Sequence, residues 1–166
     1  MAIIKVAYLG ISSVVNTPSF FARKIGNQSL SADTDTKLIP DDEVYDTDSA
    51  YDTSTGRFTV PTGKGGKYFF SYGFGMQNLD DNKQVACNIK VNGSFLETAA
   101  TTVLAGSYSF MNAAATSGSN SDDPSVATSV MLVLSAGDYV EMWGRHRNSA
   151  AENGRFMHFG GFRIGA

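Results

Sequence analysis

The feature that most constrains the fold is a series of short strand-like segments separated by turn signals. The clearest one contains Tyr68, Phe70, Tyr72 and Phe74, which alternate with other residues and therefore share one face of a strand. Another segment ends at the Asn92-Gly93 pair, which is typical of a two-residue hairpin. We find no convincing helical periodicity. The pattern predicts an all-β fold of about eight to ten short strands, either a sandwich or a jelly roll.

Composition agrees with one β-rich domain and excludes one class of partner. The chain has 166 residues, of which 17% are charged and 17 are glycine. This length suits a single domain with a substantial core, and many glycines suit a fold with many turns. The net charge is −3 and no run of Lys or Arg occurs. We therefore expect no nucleic-acid partner, because phosphate binding requires clustered positive charge.

The single cysteine, Cys87, excludes an intramolecular disulfide. Stability must then come from packing or from assembly with other chains. Cys87 lies in a strand-like run, so we interpret it as a small buried hydrophobic residue and not as a reactive thiol.

The first residues are mildly apolar but do not suit a membrane span or a signal peptide. Lys5 interrupts the apolar run, and Ser and Asn residues follow it. We expect no membrane partner and interpret residues 1–18 as an N-terminal arm or edge strand, a possible docking segment, and residues 19–166 as the jelly-roll domain. The apolar residues of the arm that would contact a partner are Ile3, Ile4, Val6, Tyr8 and Leu9.

No catalytic motif is present. The glycine-rich turn around Lys64 differs from a phosphate-binding loop, because Gly65 stands where a hydroxyl residue is required and an aromatic strand follows in place of a helix. No nucleophile lies in a recognisable strained turn, and the carboxylates lie in turns. The sequence therefore predicts a protein that is not an enzyme.

Four segments, in the same order, resemble the complement C1q-type globular head, a relative of the tumour necrosis factor jelly roll. They are AYDTSTGRFTVPTGKGGKYFFSYGF (residues 50–74), IKVNG (89–93), VMLVLSAGDYVEMW (130–143) and FMHFGGFRI (156–164). The resemblance spans about residue 19 to the C-terminus. The collagen stalk and secretion signal common in animal members are not found in this sequence, and we expect a bacteriophage member of the family.

The resemblance implies an all-β, non-enzymatic and homotrimeric jelly-roll sandwich of two antiparallel sheets, with both chain ends near one end of the trimer. The residues weakly support a trimer on their own account, since Phe69 points away from the aromatic face of its strand and adds apolar surface beyond the needs of one core. We expect the following aromatics in the core or at the trimer contacts: Phe58, Tyr68, Phe70, Tyr72, Phe74, Phe159 and Phe162.

Two polar loops are candidates for partner binding. Residues 144–154 contain Arg145, His146 and Arg147, which we expect in an exposed loop, and residues 99–124 contain Asp122 and Asp123. The alternative for these residues is a solvated loop without a partner. For Trp143, packing is favoured over an exposed platform for a sugar ring.

We expect no cofactor and no metal. Some members of the resembled family bind calcium near the trimer axis, and Asp41 and Asp42 are the candidates for such an ion here. However, the acidic residues lack the spacing of a calcium-binding loop, and aspartates of this kind usually cap turns.

The function expected from these observations is that of a virion structural protein, assembled in the host cytoplasm. A trimer would decorate or stabilise a bacteriophage head through contacts with a viral capsid or tail protein. The alternative is a trimeric knob, from a tail fibre or a surface adhesin, that binds a receptor or a host-surface glycan through its long loops.

Overall fold

A computed structural model describes residues 16–98, 102–103, 108–112 and 124–165, and every regular element in these ranges is a β-strand. The strands are β1 (Ser19–Arg23), β2 (Gln28–Leu30), β3 (Thr36–Lys37), β4 (Asp42–Asp46), β5 (Tyr51–Asp52), β6 (Arg57–Thr59), β7 (Gly66–Met76), β8 (Gln84–Val91), β9 (Ser94–Phe95), β10 (Glu97–Thr98), β11 (Thr102–Val103), β12 (Tyr108–Asn112), β13 (Ser125–Leu134), β14 (Tyr139–His146) and β15 (Glu152–Gly165). The predicted fold class, an all-β protein with antiparallel sheets, is confirmed.

The strands form two principal sheets. Sheet A has the order β13-β7-β15-β1-β4, with β2 also paired to β15. Sheet B has the order β12-β8-β14-β6-β5, with β3 on β14 and β9 on β8, while β10 and β11 pair separately. The described residues form more strands than expected because several strands are only two or three residues long. Strands this short cannot be predicted from alternation.

The core lies between the two sheets and is dominated by aromatic rings. The alternating residues of β7 all point inward, and Tyr68, Phe70, Tyr72 and Phe74 are almost fully buried. Phe58 of sheet B reaches them, with its ring centre 5.5 Å from that of Phe70. Phe20 and Phe159 complete this cluster, with ring centres 5.0 Å apart. The aromatic stripe seen in the sequence is therefore the main apolar contribution of sheet A to the core.

The two ends of the sandwich differ. Ser19 pairs with Phe162, so the first described residues and the end of β15 lie at the same end of the sandwich. We call this the terminal end. At the opposite end Gly154 pairs with Met76, and the connections formed by residues 31–35, 77–83 and 147–151 meet there. We call this the loop end.

The Asn92-Gly93 hairpin was predicted correctly. Both residues have positive φ, 52° and 81°, as a two-residue turn between paired strands requires. Val91 pairs directly with Ser94 across this turn.

One predicted loop is shorter than expected. The sequence predicted a polar loop over residues 144–154, but β14 continues to His146 and β15 begins at Glu152. His146, expected in an exposed loop, is fully buried, and its Nε2 lies 3.0 Å from the carbonyl oxygen of Leu30. The extension occurs because Gly144, Arg145 and His146 pair with β8, a long-range partner that local polarity does not reveal.

Two groups of predicted residues lie outside the described ranges. They are the apolar residues of the arm, Ile3, Ile4, Val6, Tyr8 and Leu9, and the loop residues Asp122 and Asp123. The structure says nothing about either group.

Candidate functional site

The outer face of sheet A carries a continuous group of apolar side chains. Directly paired residues of neighbouring strands project to the same side of a sheet. Phe69 pairs with both Met131 and Phe162, which places these three residues in one row across three strands. A second row runs through Gly160, Phe21 and Tyr45. We call this surface the apolar face and define it by Phe21, Tyr45, Phe69, Met131, Val133 and Phe162.

The apolar face is largely open to solvent in the isolated chain. The exposed fractions are 71% for Met131 and 80% for Val133, while Tyr45 is half exposed. Phe162, expected in the core or at the trimer contacts, lies on this face with 37% of its surface exposed. Its ring centre is 5.4 Å from that of Phe69. Exposed apolar surface of this extent is typical of an interaction site, because monomeric proteins rarely present it.

The absence of a side chain at Gly160 shapes the centre of the apolar face. A Cβ on Gly160 would lie 2.8 Å from Phe21 Cδ2, so the bare backbone is needed for that ring to lie over β15. Around Gly160 and Gly161, the rings of Phe21, Tyr45 and Phe162 surround a shallow cavity of about 140 Å³. A depression of this kind suits the side chain of a neighbouring molecule.

Polar and charged residues border the apolar face towards the loop end. His158 pairs with Arg23 in the next row, and burial lowers the pKa of His158 below its ordinary value. Arg23 in turn forms an ion pair with Asp42, with 2.7 Å between Nε and Oδ2. An apolar centre with a charged margin is the usual composition of a protein–protein interface.

The two calcium candidates lie at this margin and already have cationic partners. Asp42 pairs with Arg23, and Asp41 pairs with Lys24. A calcium ion would have to displace both cations. In the described ranges, no three side chains of His, Cys, Asp or Glu lie close enough together to hold a metal ion.

The predicted partner-binding residues of β14 separate in space. Arg145 is half buried, and its Nη2 donates a hydrogen bond to Oδ1 of Asp33 at 2.8 Å. This hydrogen bond lowers the pKa of Asp33. His146 points inward, as described above. Arg147 is exposed at the loop end and lines a polar groove of about 560 Å³. We call this the loop-end groove; its lining residues are Asp33, Asn82, Lys83, Gln84, Arg147 and Asn148.

The predicted binding loop 144–154 contains two of the groove residues, Arg147 and Asn148. The others lie in the connection 31–35 and around the start of β8, and no local motif links them. The positive φ values of Asp33 and Asn82, 47° and 61°, could have been suspected only because Asp and Asn tolerate this conformation.

The outer face of sheet B contains a buried carboxylate with compensating cations. Glu141 is almost fully buried, and burial alone would raise its pKa; however, hydrogen bonds and charge from Arg57 and Lys37 outweigh that effect and lower it. Trp143 lies beside this group, and the ammonium of Lys90 is 3.4 Å from its ring centre. Because Lys90 covers a face of the indole, this tryptophan is a packed residue and not an open platform.

The thiol of Cys87 cannot act as a nucleophile at neutral pH. The side chain is buried between the sheets, and burial raises its pKa to about 12. A thiol with such a pKa remains protonated and unreactive. The structure thus agrees with the interpretation of Cys87 as a core residue.

A two-sheet antiparallel sandwich, with an apolar outer face on one of its sheets, defines a jelly-roll domain with an exposed apolar surface. Residues 19–164 match the C1q domain, and the chain belongs to this family. The match begins at the first residue of β1. Domains of the C1q and tumour necrosis factor type are generally not catalytic.

Solved structures of low sequence identity share the fold. The globular domain of zebrafish complement 1qA is 19% identical with a TM-score of 0.56, and the match covers 89% of this chain and 98% of that one. Eiger TNF from S. frugiperda is 13% identical with a TM-score of 0.57, and the match covers 89% of this chain and 91% of that one. Murine APRIL is 10% identical with a TM-score of 0.59, and the match covers 88% of this chain and 98% of that one. Comparison with curated proteins found no match.

In the part of the chain that the structure describes, no helix has the length and hydrophobicity needed to cross a bilayer.

Proposed function

We propose that the protein is a non-enzymatic homotrimeric module in which the apolar faces of three copies pack around a common axis. The observation that carries this proposal is the apolar row of Phe69, Met131 and Phe162 on sheet A, in which Met131 and Phe162 are exposed. Burying a methionine or phenylalanine side chain stabilises an assembly by about 1.5–3 kcal/mol. Homologues of the C1q and tumour necrosis factor type are homotrimers, which supports three copies over two.

Within that class, the proposed role is that of a virion structural protein, a decoration or head-stabilising trimer of a bacteriophage. A trimer suits a threefold position on a particle. Cys87 is a buried free thiol, and no disulfide is possible within the chain, which suits assembly in the reducing cytoplasm of a host. Because β1 begins at the terminal end, residues 1–15 would dock there and leave the loop end facing outward.

The trimer is tested by light scattering on two matched variants. Met131→Glu puts a carboxylate into the proposed contact and should shift the protein from trimer to monomer at micromolar concentration. Met111→Glu is the control, because Met111 is also exposed, at 42%, but lies on sheet B. Both residues are exposed, so the folded protomer should tolerate either change. A wild-type monomer, or equal behaviour of the two variants, would refute assembly through the apolar face.

Attachment to a particle is tested by co-sedimentation with virus-like particles that lack the protein. Saturable binding at a fixed copy number, lost on deletion of residues 1–15, is the expected result. The deletion variant must still be a trimer by light scattering. If the deletion unfolds the domain, the segment is a core strand and not a docking arm.

A second candidate function is a trimeric knob that binds a receptor or a glycan. The loop-end groove favours it, because this polar depression lies at the end opposite the chain termini. Binding of the wild-type trimer to host cells, removed by glycosidase treatment and absent with purified particles, would favour this candidate over the decoration role.

A further inference from the structure

We propose that the loop-end groove is a binding site for a saccharide that carries a carboxylate group. The groove lies within one protomer, so the inference does not require the trimer or a virion. The inference deepens the second candidate function and rests on that function only for the biological role of the sugar. The volume of the groove, about 560 Å³, lies within the range of small-ligand sites.

The floor of the groove is fixed before any ligand binds. Asn148 is buried, and its side chain braces the connection between β7 and β8: its Nδ2 donates to the carbonyl oxygen of Asn78 at 2.9 Å, and its Oδ1 accepts from the backbone N–H of Asp80 at 3.1 Å. The Arg147 N–H donates to the carbonyl oxygen of Gln84 at 2.9 Å. These bonds join the walls, so binding would cost little ordering of the backbone.

The charges in the groove favour an anion. Arg145 neutralises Asp33, which is the acidic residue among the lining residues that the structure describes. Lys83 and Arg147 form no ion pair with any residue that the structure describes, and both are exposed at the groove. The Nε of Arg147 donates to Gln84 Oε1 at 3.3 Å, which orients the guanidinium beside the groove. A guanidinium binds a carboxylate through two parallel hydrogen bonds, and an ammonium adds charge nearby.

The remaining lining residues favour a ligand rich in hydroxyl groups. Asn82 and Gln84 carry amides, which both donate and accept hydrogen bonds, and the lining residues that the structure describes include no aliphatic or aromatic side chain. An apolar ligand would gain nothing from such a surface. A simple inorganic anion would engage the two cations but leave most of the volume to water. A sugar with a carboxylate uses the cations and the amides together.

The test is a titration of the trimeric wild-type protein with three probes, followed by NMR or calorimetry. The probes are D-glucuronate, the neutral sugar D-glucose, and inorganic phosphate. We expect saturable millimolar binding of glucuronate, at least about tenfold weaker binding of glucose, and weaker binding of phosphate than of glucuronate. Glucuronate binding should weaken as salt is added, because part of it is electrostatic. This comparison uses only the wild-type chain, so it does not depend on any variant folding.

Variants then locate the site. Arg147→Gln and Lys83→Gln should each weaken glucuronate binding about tenfold, since each removes a charge-assisted hydrogen bond. Lys64→Gln is the matched control at the terminal end and should bind as the wild type does. Absence of saturable glucuronate binding, equal binding of glucose, phosphate binding as tight as glucuronate, or an equal loss in the control would each overturn the proposal. Light scattering on the same samples shows separately whether the trimer fails.

Discussion

Gly161 shows how strongly one residue of β15 is constrained by the core. A Cβ at this position would lie 2.5 Å from Phe70 Cδ1 and 2.8 Å from the carbonyl oxygen of Phe69. The backbone oxygen cannot move without disturbing β7, the strand that pairs with β15. Glycine is therefore required here because the large ring of Phe70 occupies the space where a side chain would be, and not because of an unusual φ.

We expect Gly161→Ala to lower the free energy of unfolding by about 1–3 kcal/mol, since the added methyl group overpacks the core. Urea unfolding at a fixed protein concentration measures this change. Gly26→Ala is the control, because nothing lies within 4 Å of a Cβ at that position, and its effect should stay within about 0.5 kcal/mol. Equal effects of the two substitutions would contradict the packing argument.

Cys87 leads to a second prediction at the residue scale. With its pKa raised to about 12 by burial, the thiol is both protonated and inaccessible in the native protein. Ellman's reagent at pH 8 should therefore detect no thiol in the folded protein and one per chain after denaturation. Rapid reaction of the native protein would mean that Cys87 is not in the core.

At the scale of elements, the turn between β5 and β6 is organised by one carboxylate. Asp52 Oδ1 accepts hydrogen bonds from the N–H and the hydroxyl of Ser54 at 2.8 and 2.6 Å. Its Oδ2 accepts from the hydroxyl of Thr55 at 2.9 Å. These bonds lower the pKa of Asp52 to about 2. The turn also needs Gly56, whose φ is +67°.

This turn should make stability depend on acid pH. Because the folded pKa of Asp52 lies below its ordinary value, the interaction is complete above about pH 4 and is lost as the pH falls through about 2. We expect Asp52→Asn to flatten the fall of the free energy of unfolding between these pH values.

A direct measurement of the Asp52 pKa by carboxyl NMR provides the control. In the double variant Ser54→Ala, Thr55→Val this pKa should rise towards its ordinary value, since the two hydroxyl hydrogen bonds are removed while the one from the Ser54 N–H remains. An unchanged pKa would show that these bonds are not its cause.

At the scale of the whole molecule, the two outer faces of the sandwich differ in kind. The outer side of sheet B has buried charge compensated within the chain, through Glu141, Arg57 and Lys37. The outer side of sheet A instead has apolar side chains that are exposed to solvent, including those of Met131 and Val133. This difference is the physical reason to place assembly on sheet A.

If three copies assemble through the apolar face, unfolding must depend on protein concentration. We expect the thermal midpoint of the wild type to rise as the concentration increases from about 1 to 100 μM, because association stabilises only the folded chains. The midpoint of Met131→Glu should not change with concentration. A wild-type midpoint independent of concentration would count against an obligate trimer.

The local pattern of the chain was sufficient to predict the all-β class, the aromatic strand and the Asn92-Gly93 hairpin. These features depend on alternation and on turn preferences, which operate over a few residues. Alternation also separated Phe69 from the inward face of β7. The resemblance of four segments, in the same order, to C1q-type domains then narrowed the predicted all-β class to the jelly roll.

Tertiary structure alone decided which surfaces face solvent and which residues meet. The burial of His146 depends on the pairing of β14 with β8. The cationic partners of Asp41 and Asp42 are Lys24, just after β1, and Arg23, the last residue of β1. The loop-end groove joins Asp33, Lys83 and Arg147, which are far apart in the sequence. Contacts of this kind depend on strand order and register, and a sequence pattern with a period of two residues contains no information about either.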